Sequence, residues 1–401
     1  MSNKKIMILG ASILQLPAIQ KAKDMGLQVV VVDMNPDAIG FKEGGIIKEV
    51  ISTIDIPAVV ECAKKHNIDG VMTLASDMPM RTVSAVAKEL NLVGINEETA
   101  MKATNKACMR EALRLFNVPI PTFYRVSSRE EYDTAVSKFS ASFIVKPADN
   151  SGSRGIVKVS DVKNYDAIFE AYEYSKSSSR NGEVLVEEYM EGPEVSVETL
   201  TVNGECHIIQ ITDKMTTGAP HFVEMGHTQP SQLGDEIKQR IIEVTKLANK
   251  AIGITDGPSH TEIIVTQDGP KIVELGARLG GDCITTHLVP FSTGLDMVEC
   301  CIKIALGEKV DIGTKVTKGS AIRYFACKGG KLKKISGIDE AKLIEGVKQI
   351  SIICDIGDIV SEITSSSDRI GFVIAQGMNA VDASKKCETA LEMIHITTED
   401  E

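Results

Sequence analysis

The sequence predicts an α/β protein of three units, and three observations carry that prediction. At ~150 residues per domain, a chain of 401 residues suggests roughly three units. Near the amino end, unbroken apolar runs such as IMIL (6–9) and QVVVVD (28–33) alternate with helical patterns, as parallel strands covered on both faces do. Further on, the runs become alternating, as in EVSVETL (194–200) and ECHIIQI (205–211), which suits antiparallel sheet with one wet face. The composition, 43% hydrophobic and 25% charged, supplies material for several cores. A net charge of −11 argues against a general nucleic-acid or membrane-surface binder. No run approaches the ~18 apolar residues of a membrane span, and MSNKKIMILG leads straight into a strand, so a cytoplasmic protein is expected. The nine cysteines form no C-x-x-C pair, which fits buried thiols in a reducing compartment, and no zinc site is expected from their spacing to histidine.

The first unit, 1–103, opens with strand 6–9, helix 16–25 and strand 28–33. Helices at 57–66 and 78–90 then flank the apolar run GVMTL (70–74). Strand, Gly10, helix, strand and Asp33 resemble a Rossmann unit. GASILQLPA, however, has one glycine where the dinucleotide fingerprint needs three, and Ile13 and Gln15 would keep a pyrophosphate off the backbone. The Gly330-Lys331 pair lacks the Ser or Thr of a Walker A loop, so any nucleotide is expected elsewhere. The second unit, 104–309, begins with a helix at 104–116 stopped by Pro119 and Pro121. Strands near 123–126 and 142–146, a Gly-rich loop, a Ser-rich loop at 175–182 and the strand VLVEEYM follow. A long helix at 233–252 and a hairpin over about 258–276 complete it. The third unit, 310–401, carries strands SAIRYFAC and GFVIAQG, a final helix at 379–394 and a charged, fraying tail TTEDE.

Three stretches carry chemistry. In SFIVKPADNSGSRGIVKV a strand ends at Lys146, and the loop holding Ser151, Gly152, Ser153, Arg154 and Gly155 can offer several N–H groups to one anion, flanked by Lys146 and Arg154. The alternative is a plain surface hairpin loop. In SHTEIIVTQDGPKIVELGARLGG, a three-residue loop Gln267–Gly269 would set Thr266 opposite Pro270 and Glu262 opposite Glu274, with Ile264 and Ile272 on the same face. Opposed carboxylates in such surroundings want a cation, and all-oxygen ligation favours Mg²⁺. A two-residue turn would instead separate the two Glu onto opposite faces. Arg278, four residues after Glu274, suits a phosphoryl oxygen or oxyanion. In VLVEEYMEGPEVSVETL, the backbone of Glu188, Tyr189 and Met190 can read a purine edge and Glu194 can hold ribose hydroxyls, or the strand is simply half buried.

Taken in order, ATNKACMREALRLFNVPIPTF, FIVKP, NSGSRG, VEEYMEGPEVSVE, HTEIIV and IVELGARLGG resemble the ATP-grasp superfamily of carboxylate–amine ligases over nearly the whole chain. The resemblance implies an ATP-grasp fold with an amino-terminal parallel-sheet pre-grasp domain and a small carboxy-terminal α+β domain. It implies that Lys106 and Lys146 contact the ATP phosphates beneath a flap at 149–155, that Glu187 and the backbone of 188–190 hold adenine, and that Glu194 holds ribose. Glu262 and Glu274 would carry Mg²⁺, with Mn²⁺ as a substitute, and Arg278 would steady the tetrahedral intermediate. Many relatives have Asn two residues after the second Glu; here it is Gly276. ITDKMTTGAPHFVEMGHTQPSQL and GARLGGD look most like the L-amino-acid ligases, which makes His227, Arg278, Gly280 and Gly281 candidates at the substrate. The implied chemistry is carboxylate phosphorylation by ATP, then amine attack on an acyl phosphate. The implied partners are a small carboxylate, a small amine and, as an assembly, a homodimer, with neither nucleic acid nor membrane. The alternatives are a purine-biosynthesis ligase of the phosphoribosylglycinamide synthetase type and, in a different class, a non-catalytic ATP-binding sensor.

Overall fold

The computed structural model describes residues 4–150 and 154–399. Its amino-terminal sheet is fully parallel. The strands Lys5–Leu9, Gln28–Asp33, Ile47–Val50 and Gly70–Met72 lie in the spatial order third, second, first, fourth. Ile47–Val50, half exposed and only four residues long, was not visible in the apolar pattern. The sheet is covered on one side by a helix that arrives from far along the chain. Met297–Ala305 places its Val298, Cys301 and Ile302 in one core with Ile6, Ile8, Val29 and Val31. Gly70 makes that approach possible, because a Cβ there would lie 2.8 Å from the Ala305 carbonyl oxygen.

The turn after the first strand is closed by the chain itself. Gly10, at φ +103°, leaves room for the Gln15 side chain, which is 2% exposed. The Gln15 amide donates to the Leu74 carbonyl at 2.7 Å and accepts from Ser12 Oγ at 2.7 Å. Asp33 accepts from the backbone N–H groups of Ala11 at 2.7 Å and Asn35 at 2.9 Å, so both its oxygens serve the local backbone.

Two antiparallel sheets follow. The smaller runs in the order Phe123–Val126, Val184–Glu188, Phe143–Pro147, Val157–Val159. The larger has eight strands, ordered Gly269–Gly276, Gly257–Thr266, Glu194–Val202, Glu205–Thr216, Glu224–Gln229, Gly319–Tyr324, Gly371–Gly377 and Val347–Ile352. It therefore runs without a break from the middle of the chain into its last quarter, through the pairing of Gly226 with Arg323 and Gln229 with Ser320. A third small sheet joins Ile359–Val360, Gly330–Ser336 and His395–Glu399.

Four expectations need correction here. The helix placed at 104–116 spans Lys106–Leu115, because Asn105 caps it by accepting from the Cys108 N–H at 2.9 Å. The Ser-rich stretch 175–182 is helical as far as Ser178. Ser177 and Ser178 hydroxyls donate to the Tyr174 carbonyl, which lets them sit in a helix. The tail pairs as far as Glu399 rather than fraying there: Ile396 lies opposite Ile335 and Thr397 opposite Lys334. Finally, one cysteine does meet a histidine at ligand spacing. Cys62 and His66 share a face of helix Ile56–His66 beside Glu49, all three donor atoms within 4.8 Å of one another. That Glu49 carboxylate is already bound by Lys65 at 2.8 Å and His66 at 2.6 Å, and burial pushes the Cys62 thiol up to about 11. All nine cysteines are free thiols. Among the described residues no helix is long and apolar enough to cross a membrane.

Candidate active site

A cleft of about 430 Å³ opens between the two antiparallel sheets, within the range of small-ligand pockets. Its floor is a buried ion cluster. Lys146, at the end of Phe143–Pro147, reaches Glu187 Oε2 at 2.7 Å across the strand pair in which Ile144 faces Glu187. Arg110, fully buried on helix Lys106–Leu115, grips the same carboxylate from Nε at 2.7 Å and Nη2 at 3.0 Å, and its Nη2 also donates to the Val273 carbonyl. Burial alone would raise the Glu187 pKa; Arg110 and Lys146 outweigh it and hold the carboxyl down at about 2. Burial dominates at Lys146 and lowers it to about 8, against the pull of Glu187. With both oxygens so engaged, Glu187 is the internal counter-ion of Arg110 and Lys146 in the wall of the cleft. Its neighbours are also committed: Glu188 N–H donates to the Thr122 carbonyl at 2.9 Å, and Lys271 donates to the Glu188 carboxylate at 2.9 Å. Tyr189 and Met190 line the cleft, with the Lys158 ammonium 3.6 Å above the Tyr189 ring.

The hairpin brings Glu262 and Glu274 opposite each other, by a route other than the expected one. The turn has two residues, Gln267 and Asp268, and Thr266 faces Gly269, not Pro270. That turn would have put the carboxylates on opposite faces, but a bulge lets Val273 and Glu274 both face the cleft and restores the pairing. Ile272 accordingly lies in the core beside Ile263, while Ile264 and Val273 line the cleft. Each carboxylate is held by an ammonium. Lys106 donates to Glu274 at 2.7 Å and to the Asn150 carbonyl at 2.8 Å. Lys214 donates to Glu194 at 2.5 Å and Glu262 at 3.0 Å, with Glu224 at 3.6 Å. Burial opposes the charge on Lys214, but the three carboxylates raise its pKa well above the ordinary value. Burial likewise pushes Glu262 up, and Lys214 and His260 overcome it, holding Glu262 well below the usual range; burial and the Glu262 charge push Glu194 up. An all-oxygen pair that draws cations from two sides has the donor chemistry a hard divalent ion needs.

The far end of the cleft holds three charge clusters. Arg278 meets Asp77 from Nε at 2.9 Å and Nη2 at 3.2 Å. His227 Nε2 lies 3.2 Å from Asp282, which also accepts two 2.8 Å bonds from Arg369, itself stacked 3.8 Å over the Tyr324 ring. Burial favours a neutral Asp282, yet Arg369 and His227 hold it far below the usual carboxylate range. His260 binds the fully buried Glu198 at 2.6 Å and stands 3.6 Å from Glu262; despite burial, Glu198 raises its pKa to about 9. Gly280 does not line the cleft as a substrate residue would. A Cβ there would sit 2.7 Å from His260 and 2.8 Å from Glu198, so the glycine admits that ion pair. Gly281 does line the cleft. Backbone strain collects around the cleft too: of the described non-glycine residues at positive φ, four are asparagines, and the others are Ala75, Phe222 and Asp282, which line it, and Cys283, next to Asp282. Of the loop, Ser151, Gly152 and Ser153 lie outside the described residues; Arg154 lines the cleft, and Gly155, at φ +80°, accepts from Ser175 Oγ at 2.6 Å. Arg110, Lys214 and Asp77 were missed from sequence. Arg110 alone gave a signal, a charge among Ala107, Met109, Ala112 and Leu113 on a buried helix face.

An ATP-grasp domain matches residues 139–286, and an L-amino acid ligase C-terminal domain matches residues 323–399. The ATP-grasp match and the L-amino acid ligase homologues support an ATP-grasp ligase, an enzyme that couples ATP to joining a carboxylate and an amine. More particularly, L-amino acid ligases are among its homologues. It is 28% identical over 283 residues to an L-arginine-specific L-amino acid ligase of Bacillus subtilis, covering 69% of this chain and 67% of that one. The crystal structure of an L-amino acid ligase from Bacillus licheniformis shares its fold with a TM-score of 0.86, at 22% identity over all of both chains. Phosphoribosylglycinamide synthetase from Anaerococcus prevotii shares it at 0.80 and 22% identity, over 99% of this chain and 100% of that one.

Proposed function

We propose that this ligase condenses two amino-acid-like substrates, one giving its carboxylate and the other its amine, through an acyl phosphate. The observation that carries this reading is the opposed pair Glu262 and Glu274, each fastened by a lysine, with Arg278 beside them in one cleft. Lys106 and Lys146 bind the ATP phosphates beneath the loop that ends at Arg154 and Gly155. Tyr189, Met190 and the carbonyl of Glu188 frame adenine, and Glu194 takes the ribose. Glu262 and Glu274 would hold Mg²⁺, which when bound would offset phosphate charge during transfer. A carboxylate is a poor acyl donor; its attack on the γ-phosphate breaks the bond to ADP, which departs, and leaves phosphate on the acyl carbon as a leaving group, while Arg278 offsets charge on the phosphoryl oxygens as that bond forms. The amine then attacks the acyl carbon near His227 and Gly281, forming the amide as phosphate leaves and the nitrogen gives up a proton, and exclusion of water from the cleft protects the acyl phosphate. We assign 1–103, 104–309 and 310–401 as the pre-grasp, grasp and carboxy-terminal units of a cytoplasmic homodimer.

An ADP-release screen over pairs of L-amino acids with Mg²⁺ tests this reading, followed by phosphoribosylamine with glycine. Turnover on at least one amino-acid pair is expected. Turnover on the phosphoribosylamine mixture alone would move the enzyme to purine synthesis, and ADP from no mixture would favour an ATP sensor.

A further inference from the structure

We propose that Asp77, carried by the amino-terminal unit, is the positioning residue of Arg278 and stands in for the side chain that position 276 lacks. The role rests on the part given to Arg278 above. A guanidinium offers two donor edges. Asp77 takes one, through Nε at 2.9 Å and Nη2 at 3.2 Å, while Nη1 has only a 3.3 Å contact to the Leu279 carbonyl. The Nη1–Nη2 edge is thereby left for a ligand in the cleft that Arg278 lines. A Cβ at position 276 would lie 2.9 Å from Asp77 Oδ1 and 3.4 Å from Nε and Cζ of Arg278. The carboxylate thus fills the volume beside the guanidinium that a side chain on its own strand would otherwise enter.

The segment that delivers Asp77 is built for one conformation. Thr73 donates to the Leu9 carbonyl at 2.7 Å, and Gln15 donates to the Leu74 carbonyl at 2.7 Å and to Ser76 Oγ at 3.3 Å. Ala75 is held in the left-handed region at φ 55°, which an alanine adopts only under constraint. The Asp77 carbonyl then accepts from Met80 N–H at 3.0 Å as helix Met80–Glu89 begins. Gln15, buried where a Rossmann unit would hold pyrophosphate, is therefore the anchor of a loop that reaches into the cleft. The amino-terminal sheet and the cleft are coupled through Gln15, Leu74, Asp77 and Arg278.

Binding of inorganic phosphate to the full chain already saturated with MgADP reads this role without needing the natural substrates. Asp77→Ala should weaken phosphate at least about tenfold, as loss of a supporting partner does, with MgADP affinity within about threefold and an unchanged melting temperature. Asp77→Asn, which keeps one acceptor, should fall between. Gly276→Asn should also weaken phosphate, since its Cβ meets Asp77. The double variant Asp77→Ala/Gly276→Asn, in which the amide can reach Arg278 from the vacated side, should regain several-fold over Asp77→Ala. Equal phosphate affinity in wild type and Asp77→Ala, or a double variant no better than Asp77→Ala, overturns the proposal. Arg278→Gln separates the two layers: if it leaves phosphate binding intact, the role given to Arg278 fails first.

Discussion

Gly10 and Asp33 in the amino-terminal sheet, and the groups around Glu262 and Glu274 in the cleft, are two places where this chain has the outline of a nucleotide site. In the first, the two polar side chains at the turn are spent on the protein: Asp33 on Ala11 and Asn35, Gln15 on Ser12, Leu74 and Ser76. In the second, charges are paired just as fully, but the pairs line open volume and link different elements. The difference teaches that a βαβ outline says little about ligands. What marks a site is a set of charges whose present partners a ligand can replace.

The largest effect that should separate the two regions is Glu274→Gln. ADP release should fall roughly a thousandfold, the scale of losing several kcal/mol of charge stabilisation, while a melting scan stays near wild type. Normal turnover would remove the metal assignment. Next comes Arg110→Met, which leaves Glu187 and Lys146 buried without their guanidinium. Urea unfolding should show about 3 kcal/mol of destabilisation, and a stable variant would mean the floor of the cleft does not depend on that cluster. A pH series follows. Lys146, held near 8 chiefly by burial, loses its proton as pH rises, so MgADP should bind roughly tenfold more weakly at pH 9 than at pH 7. Lys146→Arg stays charged and should flatten that curve. The smallest effect belongs to the amino-terminal sheet. Asp33→Ala should cost about 1–2 kcal/mol through the loss of two backbone-to-carboxylate hydrogen bonds, yet leave MgADP affinity within about twofold. A large loss of nucleotide binding there would erase the contrast.

Much of this contrast was legible in residue types and spacing. The strand QVVVVD and the single glycine of GASILQLPA are local facts, and so is the order of Lys146, Glu262, Glu274 and Arg278. What was not legible depends on contacts between distant segments. The bulge at Val273 leaves no mark in an apolar run, although it alone rescues the Glu262–Glu274 pairing from a two-residue turn. Lys214 reads as an ordinary strand-end lysine until three glutamates from other strands surround it. Asp77 sits in a loop with no pattern, and its meaning comes from Arg278, 201 positions away. Gly280 shows the converse: it looked like a ligand-facing glycine and proved to be clearance for Glu198 and His260.

The uninterrupted eight-stranded sheet has a practical consequence. Its strand Glu224–Gln229 is shielded on one side only because Gly319–Tyr324 is hydrogen-bonded to it. A fragment trimmed near residue 310 would keep every proposed catalytic group and still expose a bare ladder of N–H and C=O groups, a template for self-association. The last quarter of the chain thus caps that β-edge, and expression of the shortened form should yield aggregates rather than a minimal ligase.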